Sequence, residues 1–336
     1  MIASGELLRV AHVSKRFVKS VDLAGRIANK LGADNRETVV HAVDNVDLSV
    51  APGEVVALVG ESGCGKSTLG RVIAGIHDPT EGEVFWRGDN IATMDRAARQ
   101  AFTLGAQMIF QDPMSSLNPR IRAGEIVGEA PRVHGLFDAK DEDDYVAGLF
   151  RQVGLDPDYR RRFPHQFSGG QRARIGIARA LAVKPDLLVC DESVAALDVS
   201  IQAQVLNLFM DLREQLGLAY VFISHDLGVV RHISDRIFVM YLGRVIESGP
   251  SEAIFAAPRH PYTQALLDNV PRLDARKRSF TTVKGEIPSP LHPPSGCHFH
   301  PRCPVAGPRC AREVPVRTET PDGRMAACHL VSGGVT

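Results

Sequence analysis

Val55-Val56-Ala57-Leu58-Val59, followed by Gly60-Glu61-Ser62-Gly63-Cys64-Gly65-Lys66-Ser67-Thr68, decides the fold. Five apolar residues in a row read as a buried strand, and Leu69, Val72, Ile73 and Ile76 recur at one-face helical spacing. Between strand and helix, glycine, four residues, then Gly-Lys-Ser is the spacing of a phosphate loop. The small residues let backbone N–H groups converge on phosphate oxygens, and the following helix N-terminus adds partial positive charge. The candidate nucleotide ligands are therefore Gly60, Ser62, Gly63, Cys64, Gly65, Lys66, Ser67 and Thr68. Lys66 reaches the β- and γ-phosphates, and the Ser67 hydroxyl is offered to Mg²⁺. A plain chain-reversing turn requires neither the lysine nor the hydroxyl.

The rest of the chain is compatible with a large α/β protein. Its 336 residues, 44% hydrophobic, suffice for one large domain and an appendage. Lysine plus arginine and aspartate plus glutamate each total 39, which gives no overall charge drive toward nucleic acid or an acidic membrane surface. No apolar run approaches the roughly 18 residues of a membrane span, and Met1 to Glu6 lacks a signal-peptide pattern. The expectation is a protein of the cytosol, or one docked on something there.

Leu7 to Val13 and the alternating Val46-Asp47-Leu48-Ser49-Val50 read as half-buried strands, with Lys19 to Arg36 between them as an excursion without identifiable chemistry. From Leu104 to Arg162, Asp112-Pro113, Asn118-Pro119 and Asp156-Pro157 separate helical segments, which predicts a helical insertion in the α/β core. Leu187-Leu188-Val189-Cys190 and Tyr220-Val221-Phe222-Ile223 read as buried parallel strands. The helix between them shows Ile201, Val205, Leu208, Phe209, Leu212 and Leu216 on one face and stops at Gly217. After about Pro258 the composition shifts to Pro, His and Cys, predicting a separate, loop-rich module.

Two further clusters carry chemistry. Asp191-Glu192 closes a buried strand, where an open parallel sheet presents ligand-binding groups. Asp191 is suited to hold Mg²⁺ and Glu192 to polarise a water attacking the γ-phosphate. Ser168-Gly169-Gly170-Gln171 opens the helical run Arg172 to Ala182 with a Ser-x-x-Gln cap and two glycines, an ordinary capped helix if met alone. The order of the phosphate loop, Gln111, Ser168-Gly169-Gly170-Gln171, Asp191-Glu192, Ala196-Leu197-Asp198 and Ser224-His225-Asp226 resembles the ATPase subunits of ABC transporters.

That resemblance implies a P-loop NTPase core with an antiparallel β subdomain and an inserted helical subdomain at about 105–180, within a nucleotide-binding domain of residues 1–258. It implies a sandwich dimer in which Ser168, Gly169, Gly170 and Gln171 of one subunit meet the γ-phosphate of ATP held by the other. Glu192, His225 and Gln111 take the catalytic roles, with Gln111 also sensing Mg²⁺. Asp198 lies at the dimer seam, and Phe17, or else His12, stacks on adenine.

The end of the chain narrows the resemblance. His260-Pro261-Tyr262-Thr263-Gln264-Ala265-Leu266-Leu267, Gly285 to Leu291, and Gly296-Cys297-His298-Phe299-His300-Pro301-Arg302-Cys303-Pro304 are similar to the C-terminal extension, here 259–336, of dipeptide and oligopeptide importer ATPases. Implied partners are two integral-membrane permeases, a paralogous ATPase and an extracytoplasmic peptide-binding protein, on the cytoplasmic face of the cell membrane. Ser193-Val194-Ala195, without the usual proline after the glutamate, resembles one of two paralogues and points to a heterodimer. Import of nickel, opines or glutathione by related machinery, and a soluble non-transport ABC ATPase, are the alternatives.

Of six cysteines, Cys297, Cys303, Cys310 and Cys328 fall within this extension, separated by five, six and seventeen residues. Four thiolates are a donor set for a [4Fe–4S] cluster or tetrahedral Zn²⁺, and the absence of Cys-x-x-Cys spacing tilts the expectation toward iron–sulfur. Unlinked buried cysteines or disulfides are the alternative.

Overall fold

The computed structural model describes residues 5–20, 37–111, 116–268, 285–320 and 322–332. Most of the Lys19 to Arg36 excursion and the Asp112-Pro113 loop lie outside the described residues.

Two sheets organise the described residues. Strands β1 (Leu8–Lys19) and β2 (Thr38–Val50) pair antiparallel and run further than their alternation suggested, because polar residues continue the ladder beyond the buried half. Counting onward, β3 is Val55–Val59, β4 Glu81–Trp86, β5 Asp89–Asn90, β6 Ala106–Ile109, β7 Leu187–Asp191 and β8 Ala219–Ile223. The last four strands are β9 (Arg236–Tyr241), β10 (Arg244–Pro250), β11 (Thr318–Glu319) and β12 (Met325–Ala326). The smaller sheet has the order β2-β1-β4-β5, and the larger β11-β12-β10-β9-β3-β8-β7-β6.

Every residue of β3, β7 and β8 is buried, which explains their unbroken apolar sequence: both faces of this parallel sheet are covered. Register then fixes function. Leu58 pairs with Ile223, and Ile223 with Asp191, so β3, β8 and β7 end on one row. Ile109 pairs with Cys190, so Gln111 and Glu192, each two residues further on, emerge side by side.

Between β6 and β7 come the helices Ala123–Val133, Glu142–Gln152 and Gly169–Leu181, whose buried Ile126, Val127, Phe150 and Ile175 join one core. Burying a Phe150-sized side chain contributes about 1.5–3 kcal/mol. The expected insertion is present, but β6 belongs to the main sheet, so the helical part begins after Ile109. Helix Val199–Leu216 ends at Gly217, whose φ of 68° is the left-handed conformation that glycine supplies without strain.

The C-terminal residues are not detached from this core. Glu247 and Ser248 of β10 pair with Ala326 and Met325 of β12, extending the large sheet. Helix Pro261–Asp268 and Phe299 complete an aromatic cluster in which the Tyr241, Tyr262 and Phe299 ring centroids lie 4.8–5.3 Å apart. The buried Glu247 carboxylate accepts the backbone N–H groups of Arg259 (2.7 Å) and His260 (2.9 Å), fixing the chain as it leaves the core. Weak periodicity concealed this docking, because side chains and two short strands produce it.

Candidate functional site

The phosphate loop lies between β3 and the helix Lys66–Ile73. Gly60 and Gly65 have φ of 151° and 105°. A Cβ at Gly60 would come within 2.2 Å of the Met240 carbonyl oxygen, and one at Gly65 within 2.0 Å of that of Ala42. Both positions demand glycine because neighbouring backbone closes on them. Ser62 and Gly63 stand exposed at the crest, while Cys64 is buried and its thiol is pushed up chiefly by that burial. Lys66 is 4% exposed, and its Nζ donates to the carbonyl oxygens of Gly60 (2.8 Å) and Glu61 (2.9 Å). Thr68, one residue after Ser67, is half-buried in the first turn of the helix.

Ser67 Oγ donates to Asp191 Oδ1 at 2.7 Å, joining the helix start to the end of β7. Asp191 is only 2% exposed, and burial raises its carboxyl above the ordinary carboxylate range, with the Ser67 hydrogen bond and the charge of Arg71 opposing. A buried carboxylate beside a hydroxyl, next to a phosphate loop, fits a Mg²⁺ site: the cation would offset the desolvation that burial imposes.

Glu192 adopts φ 45°, unusual for a residue with a side chain, and its N–H donates to the Ile223 carbonyl at 3.0 Å. Gln111 Nε2 donates to Glu192 Oε2 at 2.8 Å, and His225 Nδ1 stands 3.4 Å from the same oxygen. The structure thus brings together Gln111, Glu192 and His225, beside the Asp191–Ser67 pair.

The remaining expected residues sit elsewhere. Ser168 caps Gly169–Leu181 in a reciprocal box: its Oγ accepts the Gln171 N–H at 3.3 Å, and Gln171 Oε1 accepts the Ser168 N–H at 3.0 Å. A Cβ at Gly170 would lie 2.4 Å from Ile201 Cγ2, so this glycine permits close packing on the helix Val199–Leu216. Ser168 and Gly169 are exposed, as is Asp198, whose side chain makes no cap hydrogen bond. Phe17 is 39% exposed on β1, with His77 edge-on at 5.6 Å. His12, at φ 51°, is instead engaged with Asn45 (3.1 Å) and Asp47.

Residues 43–195 match the family described as "ABC transporter", and residues 246–310 match "Oligopeptide/dipeptide transporter, C-terminal region". A probable peptide ABC transporter ATP-binding protein of Sinorhizobium fredii is 51% identical over 87% of this chain and 83% of its own. The chain belongs to the dipeptide/oligopeptide family of ABC transporter ATP-binding subunits. The oligopeptide transport ATP-binding protein AppF of Bacillus subtilis is 49% identical over 87% of this chain and 90% of its own. Among solved structures, an ATP-binding cassette in a dimeric post-hydrolysis state bound to ADP and Pi superposes with a TM-score of 0.61 at 26% identity, covering 73% of this chain and 98% of that one. This family member is therefore an ABC ATPase that binds ATP.

No disulfide joins Cys297, Cys303, Cys310 and Cys328, and among the described residues no three His, Cys, Asp or Glu side chains converge as a metal set. Burial, with the neighbouring thiols adding, pushes Cys297 up to about 11 and raises Cys303 and Cys328. The iron–sulfur cluster, or zinc, expected at these cysteines finds no support among the described residues.

Sequence reasoning missed two residues that hold the phosphate loop from outside, Tyr262 and Arg302, and a third, Tyr241, that backs the arginine. The Glu61 carboxylate accepts two hydrogen bonds from Arg302, the Glu61 N–H donates to Tyr262 Oη at 2.9 Å, and Arg302 also approaches Tyr241 Oη at 3.4 Å. Tyr262 and Arg302 both lie in stretches that resemblance had marked; the available signal was a lone arginine amid apolar and ring residues, opposite an acidic residue in the loop.

Proposed function

We propose that this chain is the ATP-hydrolysing subunit of an importer of dipeptides or oligopeptides, bound peripherally at the cytoplasmic face of the cell membrane. The observation that carries the hydrolytic part is the meeting of Gln111, Glu192 and His225 one residue from the Asp191–Ser67 pair. The C-terminal match and the peptide-transport names of its relatives support the solute class. Residues 1–258 then form the nucleotide-binding domain and 259–336 the extension.

In this reading Gly60, Ser62, Gly63, Cys64, Gly65 and Thr68 offer the loop backbone to the phosphates, and Lys66 pairs with the β- and γ-groups. Ser67, Asp191 and Gln111 would hold Mg²⁺, which would neutralise phosphate charge as it shifts toward the leaving group. Glu192 orients and deprotonates the attacking water, with Gln111 and His225 fixing its carboxylate. Phe17, partly exposed, stacks on adenine.

Exposure of Ser168, Gly169 and Asp198 supports a second subunit closing over the site, as does likeness to a cassette solved as a dimer. Ser168, Gly169, Gly170 and Gln171 then serve the ATP of the partner, a paralogous ATPase, with Asp198 at the seam. Two membrane-embedded permeases and an extracytoplasmic binding protein complete the assembly.

Phosphate release by the assembled complex tests the chemistry: Glu192→Gln should lower kcat by about 10²–10⁴-fold, the range of a lost general base, while ATP still binds. A silent substitution would remove Glu192 from its role. Uptake of labelled peptides into vesicles carrying the complex tests the solute, and uptake of nickel or glutathione instead would overturn the peptide assignment.

A further inference from the structure

The loop that holds ATP is gripped from the C-terminal extension. Arg302 Nη1 and Nη2 donate to the Glu61 carboxylate oxygens at 2.6 and 3.0 Å, a two-pronged pair. The Arg302 side chain is only 5% exposed, and this pairing holds its guanidinium still more firmly charged. Tyr262 Oη takes the Glu61 N–H, and its ring packs with Tyr241 and Phe299. The Glu61 carbonyl in turn accepts Lys66 Nζ at 2.9 Å. Side chain, N–H and carbonyl of one loop residue are thus all committed, the first two to residues about 200 or more positions later in the chain.

We propose that Arg302, acting through Glu61, is a positioning residue for Lys66, so that the C-terminal extension sets how tightly the phosphate loop holds ATP. Glu61 lies at the crossing of two constraints. Bidentate arginine–carboxylate pairing fixes orientation as well as distance, which a single hydrogen bond does not. Rotation of the Glu61 peptide would withdraw one of the two carbonyls that hold the Lys66 ammonium within the loop. Because Lys66 holds phosphate in both the ground and transition states, its misplacement affects uniform binding and registers in KM more than in kcat.

The proposal rests on the ATP site and not on the peptide assignment. It is tested with the full-length chain in its transporter complex, by ATP titration of phosphate release and direct ATP binding. Arg302→Ala should raise KM and the ATP dissociation constant about tenfold, equivalent to about 1.4 kcal/mol, with kcat within about twofold. Arg302→Lys, retaining charge without the fork, should recover part of the loss, and Glu61→Gln should resemble Arg302→Ala. The double variant should be no worse than the worse single one, because both remove one contact. Should Arg302→Ala fail to fold, Arg302→Lys and Glu61→Gln still carry the test. ATP affinity unchanged in these variants, additive losses, or a fall confined to kcat would overturn the proposal. Failure of the wild-type complex to bind ATP would instead sink the nucleotide reading itself.

Discussion

The phosphate-loop core and the C-terminal residues 285–332 are built by opposite means. In the core, parallel ladders of fully buried strands fix the ends of β3, β7 and β8 on one row, and chemistry follows from register. In the C-terminal region the longest regular element is the five-residue helix Pro308–Arg312, and placement depends on individual contacts such as Arg302 with Glu61. A backbone ladder distributes its constraint over many residues, whereas a side-chain anchor concentrates it in one. A substitution that strains the backbone should therefore do most damage in the first region, and in the second should act through the anchor that it loosens.

The largest effect should come from Gly65→Ala, since its Cβ would collide with the Ala42 carbonyl at 2.0 Å in a left-handed backbone. ATP binding, followed by equilibrium titration, should fall more than about 100-fold, corresponding to about 3 kcal/mol. Retained affinity would show that the core tolerates local strain after all.

Acid should act on the other region and on the segment that leads to it. Burial lowers His260 to about 4, and burial together with the Arg244 charge lowers His298 to about 4. The folded state holds both neutral while the unfolded chain takes up a proton near 6.5, so stability is full above pH 6.5 and declines as pH falls toward 4. For His260, 1% exposed, the decline is about 3 kcal/mol at most. Melting temperature measured against pH should show this slope, and His260→Asn, which preserves an acceptor for the Tyr262 N–H, should flatten it. An unchanged slope would place acid lability outside this contact.

A smaller effect is expected from Gly296→Ala, where φ is 65° and the new Cβ would meet the Cys310 carbonyl oxygen at 2.4 Å. Melting should fall by the equivalent of about 1–3 kcal/mol, and the KM for ATP should rise a few-fold through the loosened Arg302. A lower melting temperature with unchanged KM would show the two regions to be independent. The smallest effect belongs to Ser168→Ala, which removes one cap worth about 1 kcal/mol in chemical denaturation.

How much was legible follows from the same contrast. Val55 to Val59, the phosphate loop, the strand before Asp191 and the stop at Gly217 were readable, because each depends on a local pattern of burial or a required glycine. The convergence of Gln111 with Glu192 was reached through family resemblance; its physical cause, the Ile109–Cys190 register, lies in strand pairing that no local pattern displays. The left-handed backbone at Glu192 was invisible for the same reason: the Ile223 carbonyl that accepts its N–H belongs to another strand. Four nearby cysteines suggested a ligand set that finds no support among the described residues, and spacing along a loop does not by itself determine where side chains point. Arg302, an unremarkable basic residue in sequence, gains its meaning only from a carboxylate 241 positions away.

The pairing of β10 with β12 also bears on synthesis. Ile246 and Glu247 stay without this neighbour until Met325 and Ala327 have left the ribosome, because the Ala327 N–H is what reaches the Ile246 carbonyl, at 2.8 Å. A nascent chain, or one cut just before Met325, presents this sheet margin bare, and a bare margin is a template for joining other chains. Once β12 has paired, β10 no longer lies at the margin of the large sheet, and the two-residue strand β11 takes that place.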